Sequence, residues 1–216
     1  MPGPRRPVLA EGAVHVWRAN LAVVAGDLEE LLSGEEGARA RRLVNERDGE
    51  LWRRSRGLLR ALLGRYLEQD PRSLRFATGA HGKPALLEPP RELPFNMSHS
   101  GSLALYAFSA AGAVGVDVEV VRRPIDELAI AARMLGEPTA RRLQALDPPR
   151  RRHEFLRAWA CHEAELKCLG VGIGGTDSDR ADRHPWVMEL DLGPDDAAAV
   201  AVERPARELS CWDWRA

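Results

Sequence analysis

Three groups of residues in this 216-residue chain have types and spacings that could do chemistry. The first is Asp117 and Glu119, two carboxylates at i and i+2 inside the apolar run 114–121 (VGVDVEVV). On a strand, Val116, Val118 and Val120 share one face and the carboxylates share the other. Side by side they repel, and both are costly to desolvate. A divalent cation would neutralise them, and hard oxygen ligands suit Mg²⁺. The plain alternative is a pair of charges on the wet face of an antiparallel strand.

The second group lies in 155–170 (FLRAWACHEAELKCLG). On a helix Trp159, Glu163 and Lys167 fall at i, i+4 and i+8, and Phe155 extends their stripe. A Glu–Lys pair at that spacing is usually a surface staple worth a few tenths of a kcal/mol. Two aromatics on the same stripe argue instead for an edge between core and cleft. His162-Glu163 begins like a zinc-protease helix, but Leu166 stands where the second histidine belongs. Cys161, His162 and Cys168 could be read as metal ligands, although helical cysteines seven apart are more often small buried residues.

The third group is Asn96-Met97-Ser98-His99-Ser100. A histidine between hydroxyls at a strand end can donate to phosphate oxygens; the plain alternative is a polar turn. A serine-protease reading has no Gly-x-Ser-x-Gly to support it. Of 31 basic residues only Lys83 and Lys167 are lysines. An ammonium is a compact point charge suited to phosphate, so lysines kept in an arginine-biased chain are candidates for specific work.

The bulk numbers describe an ordinary globular protein, with 44% hydrophobic and 29% charged residues. A net charge of −1 gives no global basic field, so no nucleic-acid partner is expected. No apolar run approaches the length of a membrane span, and no apolar leader follows Arg5 and Arg6. Three cysteines form no disulfide framework. The cytoplasm is the expected location.

The positioning elements follow from periodicity. Strands are expected at 14–17, 74–78, 95–98, 103–108, 113–121, 186–192, 197–202 and 209–214. Helices are expected at 27–32 behind Asp27, then behind Ser33 through 35–68 with a break near 45–48, and at 126–135, 138–146 and 150–169. Leu51, Leu58, Leu59, Leu62, Leu63 and Tyr66 keep helical spacing and should face a core. Between Glu36 and Glu68 nine arginines stand against five acids, a local basic face. The short Ala110-Ala111-Gly112 turn predicts a hairpin of 103–108 with 113–121. The order predicts an α+β fold of two similar halves, 1–109 and 110–216.

Taken together, Gly82-Lys83-Pro84, Ser98-His99-Ser100, Gly115-Val116-Asp117-Val118-Glu119 and Trp159…Glu163…Lys167 resemble, in order and spacing, the 4′-phosphopantetheinyl transferase superfamily of the surfactin-synthetase-activating type. The likeness runs from about Arg47 to Gly172 and includes Leu74-Arg75-Phe76. It implies transfer of 4′-phosphopantetheine from coenzyme A to a serine of an apo acyl or peptidyl carrier protein, releasing adenosine 3′,5′-bisphosphate. The fold it implies is a monomeric pseudo-dimer with the active site at the interface. The first half would bind coenzyme A, and the second would supply metal and catalysis. By the same resemblance Asp117, Glu119 and Glu163 would hold Mg²⁺, or Mn²⁺ in its place. Lys83, Ser98 and His99 would surround the coenzyme's phosphates and Lys167 its pyrophosphate. Gly82, Pro84 and Asn96 belong to the same motifs, and Arg47 matches an arginine that some members use for the coenzyme. Glu163, or water it polarises, would take the serine proton, with Lys167 and His99 beside the reacting phosphates. His162 stands where many members have lysine, so its share in binding depends on its protonation. Two other classes fit less well. A non-catalytic carrier-binding module would be expected to lose the three carboxylates, and an unrelated Mg²⁺-dependent phosphate enzyme would need a nucleotide motif such as a P-loop.

Overall fold

The structure, a computed structural model, describes residues 1–24, 26–43, 45–78, 83–88, 93–120, 125–172, 183–194 and 196–215. Its elements run β1 (Ala13–Asn20), α1 (Gly34–Arg41), α2 (Glu46–Leu67), β2 (Arg75–Thr78), β3 (Pro84–Glu88), β4 (Phe95–Ser100), β5 (Leu103–Ser109), β6 (Val114–Val120), α3 (Glu127–Ile130), α4 (Glu137–Gln144), α5 (Pro148–Leu169), β7 (Trp186–Leu190), β8 (Asp196–Val202) and β9 (Glu208–Asp213). This is the expected mixed α+β chain.

Local chemistry sets the helix boundaries. Ser33 and Glu36 form a reciprocal capping box at the start of α1, and such a cap typically contributes about 1 kcal/mol. Asn45 caps α2 and accounts for the break in the long helical pattern; Asp147 caps α5. The expected helix behind Asp27 is a single 3₁₀ turn, Leu28–Leu31, and Asp27 makes no side-chain cap there.

Two sheets stack face to face between two 22-residue helices. The first sheet has the order β4-β5-β1-β9, with β9 parallel to β1 and the other pairs antiparallel. The second is antiparallel, in the order β6-β8-β7. Alternation along each strand assigns the layers. On β5, Ala104, Tyr106 and Phe108 meet Leu58, Leu59, Leu62 and Leu63 of α2, while Leu105 and Ala107 meet the second sheet. On β8, Val200 and Val202 face the first sheet, while Ala197, Ala199 and Ala201 face Ala160 and Ala164 of α5. Leu51 and Tyr66 are partly buried against the α2 core.

The expected strand pairing also fails. β5 and β6 do not form a hairpin: β5 pairs with β1 and β4, and β6 pairs with β8 in the other sheet. The hairpin is β4–β5, turned at Gly101, whose φ of 58° suits glycine. At Gly112 (φ 91°) the chain steps from one sheet to the other. No helix among the described residues is long and apolar enough to cross a membrane.

Candidate active site

The site is built where β6 crosses α5. Val114, Val116 and Val118 are buried between the sheets, which turns the intervening Gly115 and Asp117 toward α5. Gly115 permits the closest approach: a methyl there would run into the Ala164 carbonyl oxygen and the Cys168 backbone nitrogen. The helix therefore lies directly on the strand and lays Lys167 across Asp117. Their Nζ–Oδ1 separation is 2.5 Å. Asp117 is only 4% exposed, so the wet-face alternative for this carboxylate is overturned.

β4 completes the cluster from the first sheet. Ser98 Oγ donates to Asp117 Oδ1 at 2.8 Å and receives Lys167 Nζ at 3.1 Å. Ser100 Oγ lies 3.5 Å from Glu119 Oε2. Asn96 is buried, with its Oδ1 on the Val116 amide at 2.9 Å. It bridges the sheets and presents that oxygen to the backbone. His99 lies inside β4, not in a turn beyond it, and opens toward the cavity described below. The protein crowding that opening, and then the Lys167 ammonium, hold its imidazole below the ordinary 6.5, with Asp48 opposing.

The carboxylates sit in a tense field. Burial and then Asp117 push Glu119 above the usual range, against Trp159, Lys167 and Ser100. Burial also lifts Glu163; Lys167 pulls it down, and Asp117 adds to the rise. Among the described residues Asp117 Oδ2 and Glu163 Oε1 are buried with no hydrogen-bond partner. Orphaned carboxylate oxygens are expensive, and a hard divalent cation is what would satisfy them. The donor set therefore suits such an ion. No three His, Cys, Asp or Glu residues among those described, Asp117, Glu119 and Glu163 included, stand together as a group that could hold a metal ion.

A cavity of ≈ 1130 Å³ is lined by Glu163 and Lys167, by His99, Lys83 and Pro84, and by residues of α1, α2 and β2. Ligand pockets commonly span about 300–1,000 Å³, so a large ligand could be housed. Its far wall carries Arg39, Arg42, Arg56, Arg60 and Arg75. Sequence periodicity showed a basic face here and missed that four of these arginines look inward. Arg56 and Arg60 are fixed on Glu36 at 2.5 and 2.8 Å and stacked over Phe76, 4.0 and 5.0 Å from its ring centre. Glu36 gave no functional signal in the sequence and Phe76 only its place in Leu74-Arg75-Phe76, because the arginines they hold stand on another element, α2.

Other anticipated residues fall elsewhere. Arg47 stands exposed on the first turn of α2 and is not part of the cavity wall. His162 packs beside Trp159, ring centres 6.1 Å apart, and does not line the cavity. Lys83 lines the cavity, but its Nζ donates to two backbone carbonyls, Val114 at 2.9 Å and Lys167 at 2.7 Å. Gly82 lies outside the described residues.

Fold and site together define a class: an α+β enzyme with carboxylates, an ammonium and hydroxyls converging beside a large basic cavity, equipment for handling phosphates. Comparison with known sequences narrows it. The 4′-phosphopantetheinyl transferase superfamily profile matches residues 113–214, and a 4′-phosphopantetheinyl transferase N-terminal profile matches residues 17–111. The 4′-phosphopantetheinyl transferase HetI of Nostoc sp. is 34% identical over 219 residues, spanning 94% of this chain and 92% of its own length. The 4′-phosphopantetheinyl transferase Sfp of Bacillus subtilis is 30% identical over 142 residues, 66% of this chain and 62% of its own. AcpT of Escherichia coli, carrying the same activity in its name, is 38% identical over 121 residues, 55% and 59% of the two chains. The chain belongs to the 4′-phosphopantetheinyl transferase superfamily.

Proposed function

We propose that this protein transfers 4′-phosphopantetheine from coenzyme A to a serine of an apo acyl or peptidyl carrier protein, acting as a cytoplasmic monomer. The observation carrying this reading is the convergence of Asp117 and Ser98 on Lys167, which lines, with Glu163, a cavity also walled by arginines. A coenzyme with phosphates along its length matches such a cavity better than a compact substrate does.

The pseudo-dimer reading has support in the helix–sheet–sheet–helix stacking and in the equal length of α2 and α5. On this reading residues 1–109 bring most of the coenzyme-binding wall, and 110–216 bring Asp117, Glu119, Glu163 and Lys167. The last strand, β9, returns to the first sheet and ties the halves together.

Asp117, Glu119 and Glu163 would hold a divalent cation, Mg²⁺ or Mn²⁺, which when bound stabilises charge on phosphate oxygens. The remaining work falls to side chains. Lys167, a helical turn beyond Glu163, would face the pyrophosphate, where an ammonium stabilises developing negative charge. Burial raises the basicity of Glu163, which suits it to accept the proton of the incoming serine. His99, held below its ordinary pKa, would donate one N–H to a phosphate oxygen as a neutral ring.

The test is intact mass of an apo carrier after incubation with coenzyme A, Mg²⁺ and this protein. The expected result is a mass gain of one phosphopantetheine with stoichiometric adenosine 3′,5′-bisphosphate. An unmodified carrier, across acyl and peptidyl types, would refute the activity.

A further inference from the structure

Lys83 is one of only two lysines in the chain, and its ammonium is committed to backbone. The Lys167 carbonyl belongs to the last turn of α5, where carbonyls have no partner within the helix. A cation there also complements the negative end of the helix dipole. The Val114 carbonyl opens β6, one residue before Gly115 meets Ala164. The ammonium thus sits at the crossing of the two elements that carry the site. A compact ammonium can serve two carbonyls in so narrow a space, whereas a planar guanidinium needs a wider approach.

We infer that Lys83 is a positioning residue: its ammonium fastens the last turn of α5 to the start of β6, and so holds Lys167 and Glu163 against Asp117. The catalytic consequence rests on the proposed transferase activity; the clamp itself does not. Burial lowers the lysine's pKa, as expected for an ammonium that has left solvent for backbone. Because the ammonium is committed to two carbonyls, its loss should act on turnover more than on coenzyme affinity.

The experiment uses the full chain with Lys83→Met, Lys83→Gln and Lys83→Arg. Hydrogen exchange at the Gly170 and Val171 amides, both closed on Leu166 carbonyl, reads the clamp directly. Lys83→Met should speed exchange there by about tenfold while α2 keeps its protection. Lys83→Gln, which keeps a donor nitrogen and serves if the methionine variant does not fold, should fall between, and Lys83→Arg should recover part of the loss. In the same proteins kcat should fall about tenfold or more, while the calorimetric Kd for coenzyme A changes by less than about threefold. Unchanged exchange in both Lys83→Met and Lys83→Gln overturns the clamp. Faster exchange with unchanged kcat overturns the positioning role. A coenzyme A Kd weakened tenfold or more at unchanged kcat makes Lys83 a phosphate ligand. Should the wild type transfer nothing, the activity reading fails while the exchange result still decides the clamp.

Discussion

The Oδ1 of Asn96 takes the Val116 amide proton at 2.9 Å, doing for β6 what a neighbouring strand's carbonyl would do. β4 and β6 are edge strands of different sheets. Alternate residues of β4 close the gap: Asn96 to Val116, Ser98 to Asp117, and Ser100 to the Val120 amide at 3.3 Å. Side chains replace a backbone ladder along this seam, and the hydroxyls they bring become part of the site. The seam covers two edges that would otherwise invite association.

Removing that link should cost stability first. Asn96→Ala leaves a buried amide unpaired, a loss of about 1–3 kcal/mol, or a Tm lower by several degrees at about 2–4 °C per kcal/mol for a chain of this size. Denaturant unfolding measures it. Unchanged stability with weakened coenzyme A binding would make Asn96 a ligand contact instead.

Gly115→Ala tests the helix crossing. The added methyl has no room beside Ala164 and Cys168. Overpacking of this kind costs about 1–3 kcal/mol, and relief requires α5 to move off β6. Turnover should fall by more than about tenfold at temperatures where the variant is still folded, since a shift near 1 Å misplaces reacting groups. Wild-type turnover in a folded Gly115→Ala protein would show that the close approach is dispensable.

The carboxylates should make transfer metal-dependent. Chelation is expected to silence the wild type, and Asp117→Asn or Glu163→Gln to cut turnover by about two orders of magnitude or more. Calorimetric titration with Mg²⁺ should show binding to the wild type and little to either variant. Full activity in the presence of a chelator would remove the ion from the reaction.

Glu36 should set part of the acid limit. Burial alone would raise its carboxyl, but the Ser33 amide, Arg56 and Arg60 outweigh it and hold the group below its ordinary 4.5. With the folded pKa depressed, the stabilisation is fully present above the unfolded value and is lost as pH falls through the folded one. Unfolding curves from about pH 7 to 3 should therefore show a decline below about 4.5 that Glu36→Gln flattens. The same slope in both proteins would move the acid limit to other carboxyls.

What was legible in the sequence was whatever depends on neighbours along the chain. Ser33 reads as a helix cap, and the structure pairs it with Glu36 three residues on. The spacing of Leu58, Leu59, Leu62 and Leu63 marks the buried face of α2, and alternation separates Val116 and Val118 from Asp117. Motif order was equally readable, because it is a property of the string. Strand pairing was not. The short Ala110-Ala111-Gly112 link predicted a β5–β6 hairpin, yet β6 finds β8 some eighty residues later, through pairs such as Val116↔Val200. Likewise β1 takes β9 as a parallel neighbour. Such choices are made by burying whole faces, which no short window contains.

Residue identity settles which groups are charged and which can coordinate or donate; the fold settles what each one meets. Both lysines read as phosphate-binding charges, but the fold sets Lys167 on Asp117 and gives Lys83 to the carbonyls of Val114 and Lys167. The arginines between Glu36 and Glu68 read as a local basic face with its partner open, and the fold sets Arg39, Arg42, Arg56 and Arg60 in a cavity wall. A side chain's charge is a local property. Its partner is whichever group the packed core brings within about 3 Å, and only the folded chain fixes that.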